Sequence, residues 1–313
     1  MDTIVIKKPK TKNQTITKTL KKLEKYEGVL YILPWIIGFL FLQLFPLLMS
    51  FYYSLTEYSI MGKPTFIGLE NYIHAFTEDR LFYQSLKTTF IYVFLAVPLK
   101  LVFALAVAMM LNVKLRTISL YRTIYYIPSL LGGSVAIATI WRFLFSNEGV
   151  INNLLSKVGI DPIGWLSDPK VAIFTLSGLT IWQFGSSMVI FLAGLKQIPQ
   201  SLYEAAIVDG AGKFHIFFKI TLPMLTPVIL FNMVMQMISA FQEFTSAYVI
   251  TSGGPLRSTY LYGLMIYENA FTYYRMGYAS ALSWILFILI LIVTVGVFKG
   301  SKRWVHYEDG GDF

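Results

Sequence analysis

Six long apolar runs divide the chain, at about 29–55, 86–112, 124–145, 171–195, 223–250 and 276–298. Each exceeds the roughly 20 residues a helix needs to cross a bilayer. The pattern therefore predicts an all-α, polytopic membrane protein with six transmembrane helices. The first run carries Pro34 and Pro46, which predict kinks. The second carries Pro98 and Lys100, and the third contains Gly132-Gly133 and closes near Trp141-Arg142. Gly185, Ser186 and Ser187 sit within the fourth, where small residues let helices approach closely. The fifth holds Ser239, Phe241, Gln242 and Glu243.

Between the fourth and fifth runs lies a charged, amphipathic insert, 199–223. Ser201 is positioned to cap a helix, and Glu204 three residues on completes a capping box. Gly210 interrupts that helix. A second helical piece from about Lys213 carries Phe214, Phe217 and Phe218 and is expected to end at Pro223. The insert reads as two short helices with a bend, a shape that suits docking into a groove on another protein. At the front of the chain, Ile16, Leu20 and Leu23 recur at helical spacing beside Lys18, Lys21, Lys22 and Lys25. Residues 1–28 read as a basic segment on the anionic inner leaflet or as a solvated tail. The segment is too polar for the charged start of a signal peptide, and no small-residue cleavage site follows the first apolar run. The divisions are thus 1–28, a membrane domain over 29–298 and a tail over 299–313.

Composition agrees with the membrane reading. Hydrophobic residues make up 56% of the 313 and charged residues only 14%, against about 25% charged in soluble domains. The net charge of +9 invites a nucleic-acid reading, which its distribution rejects. With the N-terminus inside, the inner segments hold 17 basic and 8 acidic residues, while the outer segments hold 8 of each. All the excess lies on one side, as the positive-inside rule requires. Lys100 and Glu243 fall inside spans, where an isolated charge costs from a few to more than ten kcal/mol. Each is expected to face a cavity or a partner, and one arrangement pairs them.

Catalytic patterns are missing from the sequence. It contains no cysteine, which removes disulfides and thiol chemistry. His74, His215 and His306 lie in separate segments without metal-ligand spacing. Gly210-Ala-Gly212-Lys213 echoes the end of a phosphate-binding loop, but Ile207 and Phe214 stand where that loop needs Gly and Ser or Thr.

Four stretches carry a resemblance. Glu204-Ala205-Ala206, Gly210 and Ile220-x-Leu222-Pro223 match the coupling loop of ABC importer permeases. Gly68-Leu69-Glu70-Asn71-Tyr72, Ser252-Gly253-Gly254-Pro255 and Gly277-Tyr278-Ala279-Ser280-Ala281 resemble segments of the sugar-type members, the branch that includes maltose- and glycerol-phosphate-type importers. The resemblance implies a subunit of a bacterial cytoplasmic-membrane importer with both termini inside. Its implied partners are a second permease subunit, two cytoplasmic ATPases that hold ATP and magnesium, and an extracytoplasmic solute-binding protein. The implied cargo is a sugar, with oligosaccharide preferred, and this chain itself carries no cofactor. ATPase coupling falls to Glu204, Ala205, Ala206, Asp209 and Gly210. Substrate contact falls to Ser239, Gln242 and Glu243 with Gln183, Phe184 and Ser186. Two other classes are open to a six-span protein: an ion-coupled secondary transporter, which uses buried charges in two similar halves, and a non-pumping membrane assembly subunit. Only two buried charges and dissimilar halves weigh against the first; co-purification of a soluble ATPase distinguishes the second.

Overall fold

A computed structural model describes residues 27–113 and 116–306. The expected N-terminal basic segment and the end of the tail, from residue 307, lie outside the described residues.

The first span forms a unit by itself, up to Tyr53. It comprises α1 (Glu27–Phe39), a π-helical turn (Leu40–Leu44) and α2 (Phe45–Ser54). The helix continues through Pro46, and the chain widens just before it. The Phe45 amide bonds to the Leu40 carbonyl five residues back. Proline cannot donate to the ladder, and a π turn ahead of it re-phases the bonding so that the helix continues.

The second unit begins at Ser54. A two-strand hairpin, β1 (Thr56–Glu57) and β2 (Thr65–Phe66), pairs Thr56 with Phe66 and Glu57 with Thr65. The short helix α3 (Glu70–Thr77) follows. Asp79 then caps α4 (Arg80–Met110), accepting from the Leu81 amide at 2.9 Å. This is the second span, and it is the central post of the unit. It packs against α8 (Ala172–Trp182), α9 (Gly185–Gln197), α12 (Leu222–Phe241) and α13 (Tyr262–Tyr267). Its buried stripe recurs at helical spacing through Ser85, Thr89, Tyr92, Ala96, Lys100, Ala104 and Val107.

Three of the expected spans depart from straight rods. The third consists of α5 (Ile118–Leu130) and α6 (Val135–Leu144), bent by 98° at Gly132-Gly133, and the short helix α7 (Val150–Lys157) follows it. The fourth consists of α8 and α9, bent by 48° at Gln183-Phe184. The fifth neither starts at Pro223 nor reaches 250 as a regular helix. It opens with α11 (Lys213–Ile216), passes through a π turn (Phe217–Thr221) and continues as α12 to Phe241. Pro223 does not end the preceding helix, because a π turn again stands ahead of a proline and the Leu222 amide reaches back to Phe217. After Phe241 the helix breaks at Gln242–Phe244, and the chain resumes as a π turn at Ala247–Thr251. The last span, α14 (Met276–Ser301), runs unbroken. Beyond it the His306 amide donates to Thr226 Oγ1 at 3.0 Å, tying the end of the sixth span to the start of the fifth. Among the described residues four helices are thus long and apolar enough to cross a membrane, and counting each bent pair as one span gives six.

Candidate functional site

The insert between α9 and α12 contains α10 (Gln200–Val208), then a turn, then α11. The expected capping box is absent. Ser201 lies inside α10, and Pro199 takes the capping position with no side-chain hydrogen bond. A proline at a helix start loses nothing, since the first amides have no intrahelical acceptor. Glu204 is therefore free of capping duty and exposed, as are Ala205 and Asp209, while Ala206 is buried. The end of α10 closes by the left-handed glycine device. The Ala211 amide bonds to Ala206 O at 2.9 Å and the Gly210 amide to Ile207 O at 3.0 Å, with Gly210 at φ +77°. This double bond pattern turns the chain sharply and satisfies the last carbonyls. Tyr203 Oη and Thr221 Oγ1, 3.2 Å apart, brace the two halves of the insert.

The result is a rigid surface elbow with unburied apolar side chains. Val208 is 86% exposed and Phe214 83%, with Ile207 and Phe218 also exposed. An open depression of about 510 Å³ lies between Ala206, Asp209, Gly210, His215 and Lys219. Exposed apolar side chains rimmed by charge suit contact with a protein or with the membrane surface.

The second feature lies where the three bent spans break. Gly133 and Ser134 from the α5–α6 corner, Thr180 and Gln183 from the α8–α9 corner, and Glu243, Thr245 and Ser246 from the break after α12 line one polar cleft. Glu243 Oε1 accepts from the Ser246 amide at 2.9 Å and from Ser246 Oγ at 2.7 Å, so the carboxylate folds the break around itself. Tyr92 of α4 reaches Thr180 Oγ1 at 2.6 Å. Lys100 is buried, and no ion pair joins it to a carboxylate among the described residues. Ser129 staples two of the corners together, donating to Gln183 O at 3.1 Å and accepting from the Ser186 amide at 2.9 Å.

Of the residues assigned to substrate contact, Gln183 and Glu243 meet in this cleft and the others do not line it. Glu243 sits at the break beyond the fifth-span helix, not within a continuous helix over 223–250. Ser239 is exposed on α12 and bonds its own helix at Met235 O, and Gln242 is exposed beside the break. Phe184 is buried against Phe103 and Tyr125, filling space between helices. Ser186 contributes its amide to the Ser129 staple. Sequence reasoning missed Ser134, Thr180, Thr245 and Ser246; Gly132-Gly133 was the one legible sign of a corner. The cleft volume is about 20 Å³, room for about one water, so in this conformation it is closed to anything larger.

A family profile described as "Binding-protein-dependent transport system inner membrane component" matches residues 79–305. The probable ABC transporter permease YesP of Bacillus subtilis is 50% identical over 295 residues, covering 93% of this chain and 95% of that one. The trehalose/maltose transport system permease MalF of Thermococcus litoralis is 33% identical, covering 93% and 98%. The lactose transport system permease LacF of Rhizobium radiobacter is 35% identical, covering 92% and 98%. In fold, a chain of a bacterial ABC transporter that imports the acidic polysaccharide alginate superposes with a TM-score of 0.78, at 23% identity, over 91% of this chain and 99% of that chain. The bent spans, the surface elbow and the matched profile converge: this multi-pass protein of the cytoplasmic membrane belongs to the binding-protein-dependent transport system inner membrane components, as a permease of the ABC-transporter type.

Proposed function

We propose that this chain is one of two membrane subunits of an ATP-driven importer for a sugar, oligosaccharide by preference. Two cytoplasmic ATPases hold ATP and magnesium, one of them docks on its elbow, and an extracytoplasmic binding protein delivers the cargo. Both termini are cytoplasmic. Relatives named for trehalose/maltose and lactose transport support the sugar class.

One observation carries the reading. The two helices that enter and leave the elbow lead straight to two of the three breaks. Helix α9 starts beside Gln183, and the 213–241 helix ends beside Glu243. At 1.5 Å per residue the latter is about 43 Å long. When the ATPase pair closes and pushes the docked elbow, both rods move at once, and the cleft between their far ends widens from its single-water size. Glu204, Asp209 and Gly210 act in this scheme as the exposed contact edge and its turn. Gln183 and Glu243 offer an amide and a carboxylate to sugar hydroxyls as the corners separate.

The experiment is uptake by the whole transporter in cells treated in two ways. Uptake survives a proton uncoupler and stops on ATP depletion. The reverse outcome assigns the chain to ion-coupled transport. Uptake indifferent to both treatments leaves it a passive assembly subunit.

A further inference from the structure

Two sequence motifs have no part in the elbow or the cleft: Gly68-Leu69-Glu70-Asn71-Tyr72 and Gly277-Tyr278. They meet in space. Asn71 Nδ2 donates to the Ser54 and Thr56 carbonyls, both at 2.9 Å, and Tyr72 Oη lies 2.7 Å from Ser54 Oγ. The Gly277 amide donates to Tyr58 O at 3.0 Å, and Tyr278 Oη donates to Asp79 Oδ2 at 2.8 Å. A backbone bridge joins Ser59 to Arg275. These bonds pin the hairpin and α3 to the start of α14, and they form the walls of an open cleft of about 560 Å³.

Asn71 and Gly277 are thus engaged in holding the walls, while the charged side chains face the space. Glu57, Glu70 and Glu78 line the cleft against Arg275 alone, with His74 bonded to Glu78 at 2.8 Å. Three carboxylates thus face a single guanidinium across the lining. The Glu57 and Glu70 carboxylates have no hydrogen-bond or ion-pair partner among the described residues. Tyr273 and Tyr274, about half exposed, add aromatic surface at the rim. Among the described residues no group of three carboxylates and histidines is arranged to hold a metal ion. An acidic, aromatic-rimmed cleft recognises an ammonium or guanidinium, by charge and through the ring faces.

The cleft sits at the membrane face opposite the elbow. It lies at the beginning of α14, whose 26 residues span about 39 Å. The far end of α14 returns to Thr226, just past the elbow.

We propose that this cleft is the docking pocket for a lysine or arginine side chain of the extracytoplasmic binding protein. The proposal rests on the importer reading above, which makes this face the outer one. The two unpartnered carboxylates supply the attraction, and the pinned walls present them without reorganisation on docking.

The test uses the whole transporter in proteoliposomes, with the binding protein titrated against uptake. The double variants Glu57→Gln/Glu70→Gln and Glu57→Lys/Glu70→Lys are compared with wild type. Both residues are exposed, so the glutamine pair keeps the fold, and co-purification of the complex verifies it. The binding-protein concentration for half-maximal uptake should rise about tenfold in the lysine pair and less in the glutamine pair. The maximal rate should stay within about twofold, and the salt dependence of the wild-type half-saturation should vanish. An unchanged half-saturation in both variants overturns the proposal. So does a change confined to the sugar half-saturation at saturating binding protein, which makes the cleft a sugar subsite. Failure of the importer reading itself looks different: wild type then shows no binding-protein-dependent uptake at all.

Discussion

Replacing Gly185 by alanine tests the three-corner cleft at its tightest seam. A Cβ at this position meets Tyr125 O at 2.5 Å, Tyr126 Cα at 2.7 Å and Ser129 Oγ at 2.8 Å. Two of those atoms are backbone, so no side chain can swing away. Restoring a 3.4 Å contact to the carbonyl requires the α5 and α9 backbones to part by up to about 0.9 Å. Overpacking of this kind costs about 1–3 kcal/mol. The same movement stretches both Ser129 bonds, from 3.1 and 2.9 Å, and losing each costs about 1 kcal/mol. The corners that present Gln183 and Gly133 then no longer stay in register. We expect uptake per assembled transporter to fall at least about tenfold, and the detergent-solubilised complex to melt at lower temperature. Gly296→Ala is the control, because nothing lies within 4 Å of its added methyl, and it should behave as wild type. Wild-type uptake and melting in Gly185→Ala would refute the claim that these two corners act as one unit.

Four further outcomes follow from the same geometry. Gly210→Pro should abolish uptake, because proline cannot adopt φ +77°, while the binding protein still binds sugar; retained transport removes the turn from the coupling path. Phe214→Ala should weaken co-purification of the ATPase severalfold without changing the melting temperature of the membrane subunits, because the ring is 83% exposed; loss of stability instead makes Phe214 structural. Glu243→Ala leaves the buried Ser246 amide and hydroxyl without their acceptor, which should cost about 1–3 kcal/mol and lower uptake, whereas Glu243→Gln keeps an acceptor and should retain the fold; equal melting of the two variants speaks against the carboxylate as organiser of the break. Lys100→Met exchanges a buried charge for a packed thioether, and it should leave assembly intact; loss of uptake with assembly preserved gives Lys100 a role in transport.

The spans were legible because hydropathy depends on composition alone. The first run, read as 29–55, ends within a residue of α2, and the last, read as 276–298, starts where α14 does. The elbow was legible for a related reason: Gly210 and the flanking charges mark a turn outside the apolar phase. Corners inside the spans were hidden, since a bent apolar run has the same mean hydropathy as a straight one. Gly132-Gly133 signalled one corner, but nothing in Trp182-Gln183-Phe184 marked the second, and Glu243 read as an intramembrane charge rather than the acceptor that folds a break. One proline misled. Pro223 suggested a stop, yet like Pro46 it follows a π turn that carries the helix onward. Contact with the cleft depends on which way a side chain points after the break. For that reason Gln183 and Glu243 line it while Ser239 and Gln242, their near neighbours in sequence, do not.

The absence of native cysteine makes one labelling measurement unambiguous. A single cysteine at Ala211, on the elbow, is challenged with a membrane-impermeant thiol reagent in intact cells and in inverted membrane vesicles. Labelling in the vesicles alone is the result expected if force from the cytoplasmic ATPases enters at this turn. Labelling from outside intact cells would contradict it and reverse the topology on which the importer reading stands.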